Sequence, residues 1–315
     1  MSFSQHDSRL RVAVLAGGDS AEREVSLRSG DSVAAALLAA GHKASLVDPA
    51  ACPLDRLPWS EFDACFIALH GGAGEDGRVQ LQLERLGVPY TGSGVEACRL
   101  AMSKSAGKER FVAHGVPTPP YEAIAEHVSL ADVSSRVARL GYPLVVKPDA
   151  QGSSIGVAVA DSIDQLPRAL AVARTFGGPC LAEALVRGRE FTVTVLDTVA
   201  LPTIEIVNPE PVFSYDAKYH SSLTEYRFDF PLSAAHRNEI QQAALGATRA
   251  LGTWGLVRVD VMFSHDCRAW VLEVNTIPGM TVRSLAPLAA ARAGIDMPTL
   301  CEMLVRRCLV GAGAL

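Results

Sequence analysis

The sequence predicts an α/β protein that begins with an open parallel sheet and continues as α+β. In the first hundred residues, strand-like apolar runs alternate with helix-like stretches, a pattern typical of parallel sheets. Beyond the proline cluster at 117–120, short β-like runs are joined by turn residues, as in antiparallel sheets. A length of 315 residues indicates at least two domains, at about 150 residues per domain, and the change of pattern favours three lobes.

The N-terminal part is predicted to carry a binding site at the ends of its strands. A buried strand is expected at 11–16, and further strands at 44–47 and 64–69. The helix after the first strand is expected to begin at a cap formed by Ser20 or Ser26 and to end at Gly41. Gly17-Gly18 and His70-Gly71 directly follow strands. Ligands of open parallel sheets bind beyond the carboxyl ends of the strands, so these turns are candidates for lining a site.

The remaining elements are predicted from shorter patterns. Helices are expected at 80–86, 104–114, 163–176, 235–251 and after Asp296, and strands at 144–147, 157–160, 180–186, 191–196, 201–207, 256–263 and 270–274. The segment 208–233 has no clear periodicity, and so long a loop inside a compact domain is usually functional or disordered. We place the boundaries of the lobes at 1–103, 104–187 and 188–315.

Composition and charge exclude several classes of protein. The chain is 49% hydrophobic and 20% charged, which excludes a disordered tail or a collagen-like repeat. The net charge of −5 provides no overall basic field, so we expect no nucleic acid and no membrane as partner. No apolar run approaches the roughly 20 residues of a membrane span, and no signal peptide is visible. Seven scattered cysteines without a Cys-x-x-Cys pair favour reduced thiols and a cytoplasmic location.

Acidic residues on two late β-like runs predict a metal site. Glu273 and Asn275 are two residues apart on a strand and therefore share a face, and Asp260 joins them if the two strands pair. Two carboxylates and an amide oxygen suit Mg²⁺, which keeps water and substrate phosphates as its other ligands. Alternatively, these side chains pair with Arg258 or with solvent on an open sheet face. Arg258, two residues before Asp260, is also placed to stabilise negative charge during group transfer.

Phosphate-binding features are less specific. The sequence contains neither a P-loop nor a G-x-G-x-x-G motif. Lys147 ends a strand, and the small residues of 151–156 follow it, so backbone N–H groups and a cation can approach an oxyanion there. A plain hairpin turn explains the same pattern equally well. Lys104 is a second candidate cation, and the turn 275–281 offers further backbone donors. The loop 208–233 is either a lid or a solvated surface loop.

Taken together, the motifs of the chain resemble those of the D-alanine–D-alanine ligases, a family of the ATP-grasp superfamily. The resemblance extends from Arg11 to Leu309. It rests on matching motifs in matching order at 17–27, 68–71, 74–77, 89–94, 146–148, 152–154, 190–193, 218–219 and 272–281.

The resemblance implies an ATP-grasp fold that holds a nucleotide between the two lobes after the N-terminal lobe. It implies a reaction in which one D-alanine carboxylate attacks the γ-phosphate of ATP. The amine of a second D-alanine then displaces phosphate from the acylphosphate to form the dipeptide used in peptidoglycan precursors. The implied cofactors are ATP and two Mg²⁺ or Mn²⁺ ions, and the implied assembly is a cytoplasmic homodimer.

The resemblance also assigns residues to the nucleotide and the metal ions. The metal ligands would be Asp260, Glu273 and Asn275, with Glu273 bridging the two ions. The residues implied in contacts with ATP are Lys104, Lys147, Ser153, Glu183, Val186, Glu190 and Lys218. Within this set, the lysines meet phosphates, the strand from Glu183 to Val186 lines the adenine pocket, and Glu190 takes the ribose hydroxyls.

The resemblance also assigns residues to the two D-alanine substrates. Glu22 would hold the ammonium group of the first D-alanine, with His70 close by. Arg258 and the backbone of Gly279 would form an oxyanion site. Ser284 and Lys218 would receive the carboxylate of the second substrate. A hydrogen-bonded triad of Glu22, Ser153 and Tyr219 would close the long loop over the reactants.

Some positions depart from the family pattern, and two alternative functions remain. Ala184 stands where relatives often carry a lysine that reaches the adenine; Arg283 replaces a frequent histidine and Ser103 a frequent aspartate. One alternative is a depsipeptide ligase that prefers D-lactate as second substrate, against which Tyr219 argues. The other is a catalytically silent nucleotide-binding protein, against which the intact metal and arginine positions argue.

Overall fold

The computed structural model of the chain describes residues 9–208 and 224–310. The α-helices are α1 Arg23–Ala39, α2 Arg78–Arg85, α3 Val95–Met102, α4 Lys104–Ala113, α5 Leu130–Val137, α6 Leu166–Arg174, α7 Ala234–Leu251, α8 Leu285–Arg292 and α9 Met297–Val310. The strands are β1 Arg11–Leu15, β2 Lys43–Val47, β3 Ala64–Ile67, β4 Tyr121–Ile124, β5 Leu144–Pro148, β6 Ala158–Ala160, β7 Cys180–Ala184, β8 Gly188–Leu196, β9 Val199–Ala200, β10 Ile204–Val207, β11 Glu225–Arg227, β12 Leu256–Ser264 and β13 Ala269–Asn275. The predicted α/β class with an antiparallel second part is confirmed.

The described chain forms two compact units. As far as they are described, Met1–Val95, Trp254–Leu256 and Ile277–Leu315 form the first unit. Glu96–Thr253 and Val257–Thr276 form the second. The lobe boundaries predicted from the sequence stay a prediction. Among the described residues, no helix is both long enough and apolar enough to cross a membrane.

The first unit is built on the predicted parallel sheet. Its three strands lie in the order β2-β1-β3, and both neighbours of β1 run parallel to it. After β1 the chain forms β2 on one side of β1, and it then crosses over to form β3 on the other side. This reversal is the switch point beyond which open parallel sheets bind ligands. Helix α9, which contacts α1 and β3, also belongs to this unit.

Helix α1 begins differently from the prediction. Its N-cap is Glu22, whose side chain makes no capping hydrogen bond, so neither Ser20 nor Ser26 caps the helix. Ser26 lies inside the first turns, where its hydroxyl accepts from the N–H of Gly17 at 2.8 Å and donates to the carbonyl of Ala68 at 2.8 Å. The hydroxyl is therefore engaged by the turns that follow β1 and β3.

Helix α1 lies unusually close to the end of β1 at Gly30. A Cβ atom at this position would lie 2.3 Å from Cβ of Ala16 and 3.1 Å from Cδ2 of Leu46. Ala16 is 2% exposed, so it has little room to move away. Glycine at position 30 is thus required for the observed packing of α1 on the sheet.

We expect Gly30→Ala to destabilise the protein by about 1–3 kcal/mol, the usual cost of overpacking a core. Alanine favours helix over glycine by only about 1 kcal/mol, which does not offset a contact this short. Denaturant unfolding measures the free energy of unfolding. Asp31→Ala, at the exposed next position of the same helix, is the matched control. An alanine variant at position 30 that is more stable than wild type would contradict the packing argument.

The second unit contains two antiparallel sheets. One has four strands in the order β4-β7-β5-β6, and its β5–β6 pair is the predicted hairpin. Helices α5 and α6 cover it with Val133, Leu166 and Leu170, all at most 2% exposed.

The other sheet of this unit has the strand path β11-β10-β8-β12-β13, with β9 paired to β8. The predicted antiparallel pair β8–β10 is confirmed. Strands β12 and β13, whose pairing was the condition for the predicted metal site, also pair, in antiparallel direction. Helix α7 packs on this sheet, where Phe191 lies 5.0 Å from Phe230 and 6.5 Å from Phe263 between ring centroids. The expectation that 208–233 is irregular throughout is wrong, because β11 pairs with β10. Residues 209–223 lie outside the described residues.

Candidate functional site

A cavity of about 110 Å³ lies between the two sheets of the second unit. Many residues predicted to bind nucleotide or metal line it: Lys104, Lys147, Glu183, Val186, Glu190, Asp260 and Glu273. The hairpin β5–β6 contributes Ser154 and Ile155, and β12 contributes Met262. The wall is thus partly apolar and partly charged, a combination common in sites for small molecules. Ser153 and Asn275 are not among the lining residues.

The metal candidates are placed by the register of β12 and β13. Asp260 lies directly opposite Glu273, and Arg258 lies opposite Asn275. The strand pairing on which the metal prediction depended is therefore confirmed. A change of register after Asp260 marks a β-bulge at this point, a feature that often re-aims a side chain beside a functional site.

Asp260 is held by two neighbours. Nε and one terminal nitrogen of Arg258 donate to its two carboxylate oxygens, each at 2.9 Å. Thr192 on β8 donates its hydroxyl to Oδ1 at 2.8 Å. Asp260 is 5% exposed, and burial of a carboxylate is tolerated when it is paired and hydrogen-bonded in this way. The alternative that Arg258 pairs with Asp260 is therefore realised. The sequence did not point to Thr192, because a threonine is an ordinary residue in a strand where polar and apolar side chains alternate.

The donor set fits a magnesium ion. Two opposed carboxylates and the amide oxygen of Asn275 are hard oxygen donors. A carboxylate offers about four acceptor positions, so Asp260 keeps capacity beyond its three present hydrogen bonds. In the described ranges, no cluster of three or more His, Cys, Asp and Glu side chains is suited to a metal. In the predicted site the third protein ligand is the amide of Asn275. Glu273 lies 3.4 Å from Nζ of Lys104.

Lys104 is positioned by the start of α4. Ser103 is the N-cap residue, and its hydroxyl accepts from the N–H of Ala106 and donates to Asp149 at 2.7 Å. Asp149, just after β5, also accepts from the N–H of Ser105 at 2.7 Å. Nζ of Lys104 donates to the carbonyl of Gln151 at 2.6 Å. Ser103 thus serves as the cap of α4, and Asp149 joins α4 to the hairpin.

A buried ionic network stands behind the cavity wall. Nζ of Lys147 donates to Oε1 of Glu183 at 2.6 Å, and Nζ of Lys108 lies 2.9 Å from Oε2. Burial opposes ionisation of Glu183, but the charges of the two lysines outweigh it and hold the pKa of that carboxyl below its ordinary value. Lys108 was missed in the sequence, where it reads as one more polar residue of a helix.

The turn between β5 and β6 has an uncommon backbone conformation. Ser153 and Ser154 both adopt left-handed dihedral angles, with φ of +52° and +56°, which non-glycine residues adopt rarely. Gly156, at φ +75°, leaves no room for a Cβ, which would lie 2.7 Å from the ring of Phe176. Two successive left-handed residues also occur in ordinary hairpin turns, so the phosphate-binding role of this turn stays a prediction.

A second cavity, of about 510 Å³, lies in the first unit. It occupies the place that the sheet rule predicts, beyond the carboxyl ends of β1 and β3. Both predicted turns line it, with Gly17, Gly18, His70 and Gly71. Glu22 is not part of its lining but lies directly behind Gly71. A Cβ at Gly71 would be 2.7 Å from Oε2 of Glu22, which is 9% exposed.

His70 joins three segments of the first unit. Its Nδ1 lies 3.1 Å from the carbonyl of Ile277, and its Nε2 lies 2.8 Å from the hydroxyl of Ser29. Because a carbonyl only accepts, Nδ1 carries the proton and Nε2 accepts from Ser29. The Ser29 hydroxyl in turn accepts from the N–H of Met280 at 3.2 Å. This chain anchors the segment that contains Gly279. Ser29 was missed because it reads as an ordinary helix residue.

Gly279 and Ser284 lie side by side at the start of α8. A Cβ at Gly279 would be 2.8 Å from Oγ of Ser284. That oxygen accepts from the N–H of Thr281 at 3.1 Å and lies 2.8 Å from its hydroxyl. The two residues predicted to serve substrate are thus brought together in one turn.

Several predicted roles remain predictions. Lys218 and Tyr219 lie outside the described residues. Glu22 belongs to the first unit and Ser153 to the second. The proposed triad of Glu22, Ser153 and Tyr219 therefore stays a prediction.

Comparison with known sequences gives a consistent result. Residues 111–306 match a family model described as the C-terminus of D-ala D-ala ligase, and residues 54–93 match the N-terminal counterpart. A D-alanine–D-alanine ligase of Ectopseudomonas mendocina is 45% identical over 290 residues, covering 92% of each chain. A D-alanine–D-alanine ligase of Gloeobacter violaceus is 44% identical over 301 residues, covering 95% of this chain and 100% of the relative.

Solved structures agree with this result. A crystal structure of D-alanine–D-alanine ligase from Bacillus anthracis in complex with ATP superposes with a TM-score of 0.83 at 29% identity. A second structure of the ligase from that organism gives a TM-score of 0.84 at 32% identity. Each comparison covers 95% of this chain and 97% of the other.

Proposed function

The chain belongs to the D-alanine–D-alanine ligase family, and from this premise we propose that it joins two D-alanine molecules into a dipeptide, with ATP converted to ADP and phosphate. The fold is the ATP-grasp fold shared with the Bacillus anthracis ligase, which binds ATP. The observation that carries the proposal is the charged cavity of the second unit. It is lined by Lys104 of α4 and Lys147 of β5 together with Asp260 and Glu273.

Lys104 and Lys147 are proposed to bind the phosphates of ATP. Both are largely buried, with side chains 9% exposed, and both line the cavity. Buried cations attract phosphate more strongly than exposed ones because water screens them less. The strand from Glu183 to Val186 would line the adenine pocket, and Glu190 would hold the ribose. Ser153 would contact the phosphates from the turn.

Asp260, Glu273 and Asn275 are proposed to hold two Mg²⁺ or Mn²⁺ ions. When bound, such ions neutralise charge on the transferring phosphoryl group. Arg258 is proposed to stabilise the charge that develops when the second amine attacks the acylphosphate. Its geometry supports this role, because Asp260 holds the guanidinium plane with two hydrogen bonds and thereby fixes its direction. The chemistry then depends mainly on positioning and fixed charge.

The substrate-binding roles are proposed for residues of the first unit. Glu22 would bind the ammonium of the first D-alanine, and its burial behind Gly71 would strengthen that ion pair. His70 holds the segment that contains Gly279, whose N–H is proposed to bind oxyanion, and Ser284 would receive the carboxylate of the second substrate. Lys218 and Tyr219 would act from the loop, which would exclude water from the acylphosphate.

A direct test uses the purified protein with ATP, Mg²⁺ and D-alanine, with measurement of ADP and dipeptide. We expect ADP release that depends on D-alanine and equals the dipeptide formed. L-alanine in place of D-alanine is the control. ADP release without dependence on D-alanine would reject the proposal. No ADP release at all would reject it and favour a silent nucleotide-binding protein. Preferential use of D-lactate as second substrate would instead indicate a depsipeptide ligase.

The cellular setting is also part of the proposal. The dipeptide would serve peptidoglycan precursor synthesis in the cytoplasm, and the protein would act as a homodimer. Both follow from the family resemblance alone.

A further inference from the structure

Lys108 is a fully buried lysine behind the nucleotide cavity. It lies on α4 at 0% exposure and is not among the residues that line the cavity. Its Nζ contacts Oε2 of Glu183 at 2.9 Å and donates to the hydroxyl of Thr118 at 2.6 Å. That hydroxyl donates onward to the carbonyl of Val271 on β13 at 2.8 Å. Burial of a lysine is costly, so a group placed this deeply has a fixed position and a fixed partner.

The charges of the network do not cancel. Glu183 is one carboxylate, 3% exposed, and it is shared between Lys108 and Lys147. Each carboxylate oxygen meets one ammonium group, so the three side chains together carry one net positive charge. Of the two lysines, Lys147 alone lines the cavity. Glu183 also lines the cavity, so an occupant meets this carboxylate and the Lys147 ammonium, backed by a network with one net positive charge.

We propose that Lys108 is a positioning residue for ATP: it neutralises Glu183 and so leaves the charge of Lys147 available to the nucleotide phosphates. Without Lys108, Glu183 and Lys147 would form a neutral pair at a distance of 2.6 Å. Such a pair attracts an anion far less than a free ammonium does. This inference rests on the proposed ATP site.

The acid–base properties of Lys108 agree with this role. Burial lowers the pKa of Lys108 to about 8, against the opposing effect of Glu183. The charged groups that act on it from neighbouring strands are Glu183, Lys147 and Glu273. Tyr121, whose ring centroid lies 5.6 Å from Nζ, has a pKa raised by burial and stays neutral near pH 8. Lys108 therefore loses its proton as pH rises through about 8, and affinity for ATP is expected to fall there.

The test compares ATP with adenosine, which lacks the phosphates, by isothermal titration of the whole protein. For Lys108→Met we expect Kd for ATP to rise at least about tenfold, while Kd for adenosine stays within about twofold. The double variant Lys108→Met/Glu183→Gln leaves Lys147 as the one charge of the network. Because Glu183 is itself proposed to line the adenine pocket, adenosine reports any loss of affinity at the ring. Relative to adenosine, the affinity of the double variant for ATP is expected to return to within about threefold of the wild-type ratio. Lys43→Met, an exposed lysine of the first unit, is the matched control.

Each other outcome decides against the inference. Equal weakening of ATP and adenosine would show that Lys108 only supports the fold. Unchanged ATP affinity in Lys108→Met, or no recovery in the double variant, would refute the charge argument while leaving the ligase assignment intact. Wild-type protein that binds no ATP would reject the proposed site and the inference with it. If Lys108→Met does not fold, the double variant decides: ATP affinity far below that of wild type, with adenosine affinity retained, overturns the inference.

Discussion

Glu273→Gln is expected to lower kcat by at least about a thousandfold, because it removes the charge of a residue proposed to bridge two metal ions. Glutamine has nearly the same shape, and the side chain is 27% exposed, so the fold should tolerate it. The variant also removes the partner of Lys104, 3.4 Å away. Lys104 would remain free to bind phosphate, so ATP affinity is expected to fall much less than turnover.

Steady-state kinetics at several Mg²⁺ concentrations separate the two effects. Recovery of kcat at high Mg²⁺ would indicate that the variant binds the metal ions weakly. A low kcat at all Mg²⁺ concentrations would indicate that the metal ions bind in the wrong position. Glu109→Gln, an exposed position on α4, removes the same charge away from the cavity. Near-normal turnover of Glu273→Gln at low Mg²⁺ would refute the metal assignment.

Arg258→Lys is expected to lower kcat by roughly a hundredfold to a thousandfold, with little change in the KM for ATP. Lysine keeps the charge but has a single nitrogen, so it cannot make both 2.9 Å hydrogen bonds to Asp260. The remaining charge would be mobile, and stabilisation of a developing oxyanion requires a fixed donor. Arg249→Lys, at an exposed site on α7, is the matched control.

The same variant tests whether charge or direction matters at position 258. If Arg258→Lys retains wild-type kcat, positive charge alone suffices and the bidentate geometry is incidental. A large rise in the KM for ATP with normal kcat would instead place Arg258 at the nucleotide phosphates.

Elements with strong hydrophobic periodicity were predictable from the sequence, since periodicity reports directly which face is buried. The parallel strands, the hairpin at β5–β6 and the pair β12–β13 follow from it. Helices α3, α5 and α8 were not predicted. Each has eight residues, so the helical pattern barely exceeds two turns. Helix α2 has the same length but was predicted with Gly87 as its end signal.

The residues of the candidate site also fall into two groups, those that the sequence identified and those that it did not. Residues that carry unusual chemistry for their element, such as Asp260 in an apolar strand, were found from the sequence. Residues that act through tertiary contacts were not. Ser29, Lys108 and Thr192 are ordinary members of helices and strands until folding places them against His70, Glu183 and Asp260. The assumed serine cap of α1 failed for a related reason, because tertiary partners took the hydroxyl of Ser26.

The close contact between Gly30 and Ala16 also constrains how the substrate side can be engineered. Ser29, which holds His70 and Met280, immediately precedes Gly30, so the depth of α1 on the sheet sets the position of that hydroxyl. A mutant library that varies position 30 alone should return glycine. Positions 16 and 30 are coupled in one direction: a residue larger than glycine at position 30 can be selected only together with glycine at position 16. Directed evolution of the first substrate pocket should therefore randomise both positions in the same library.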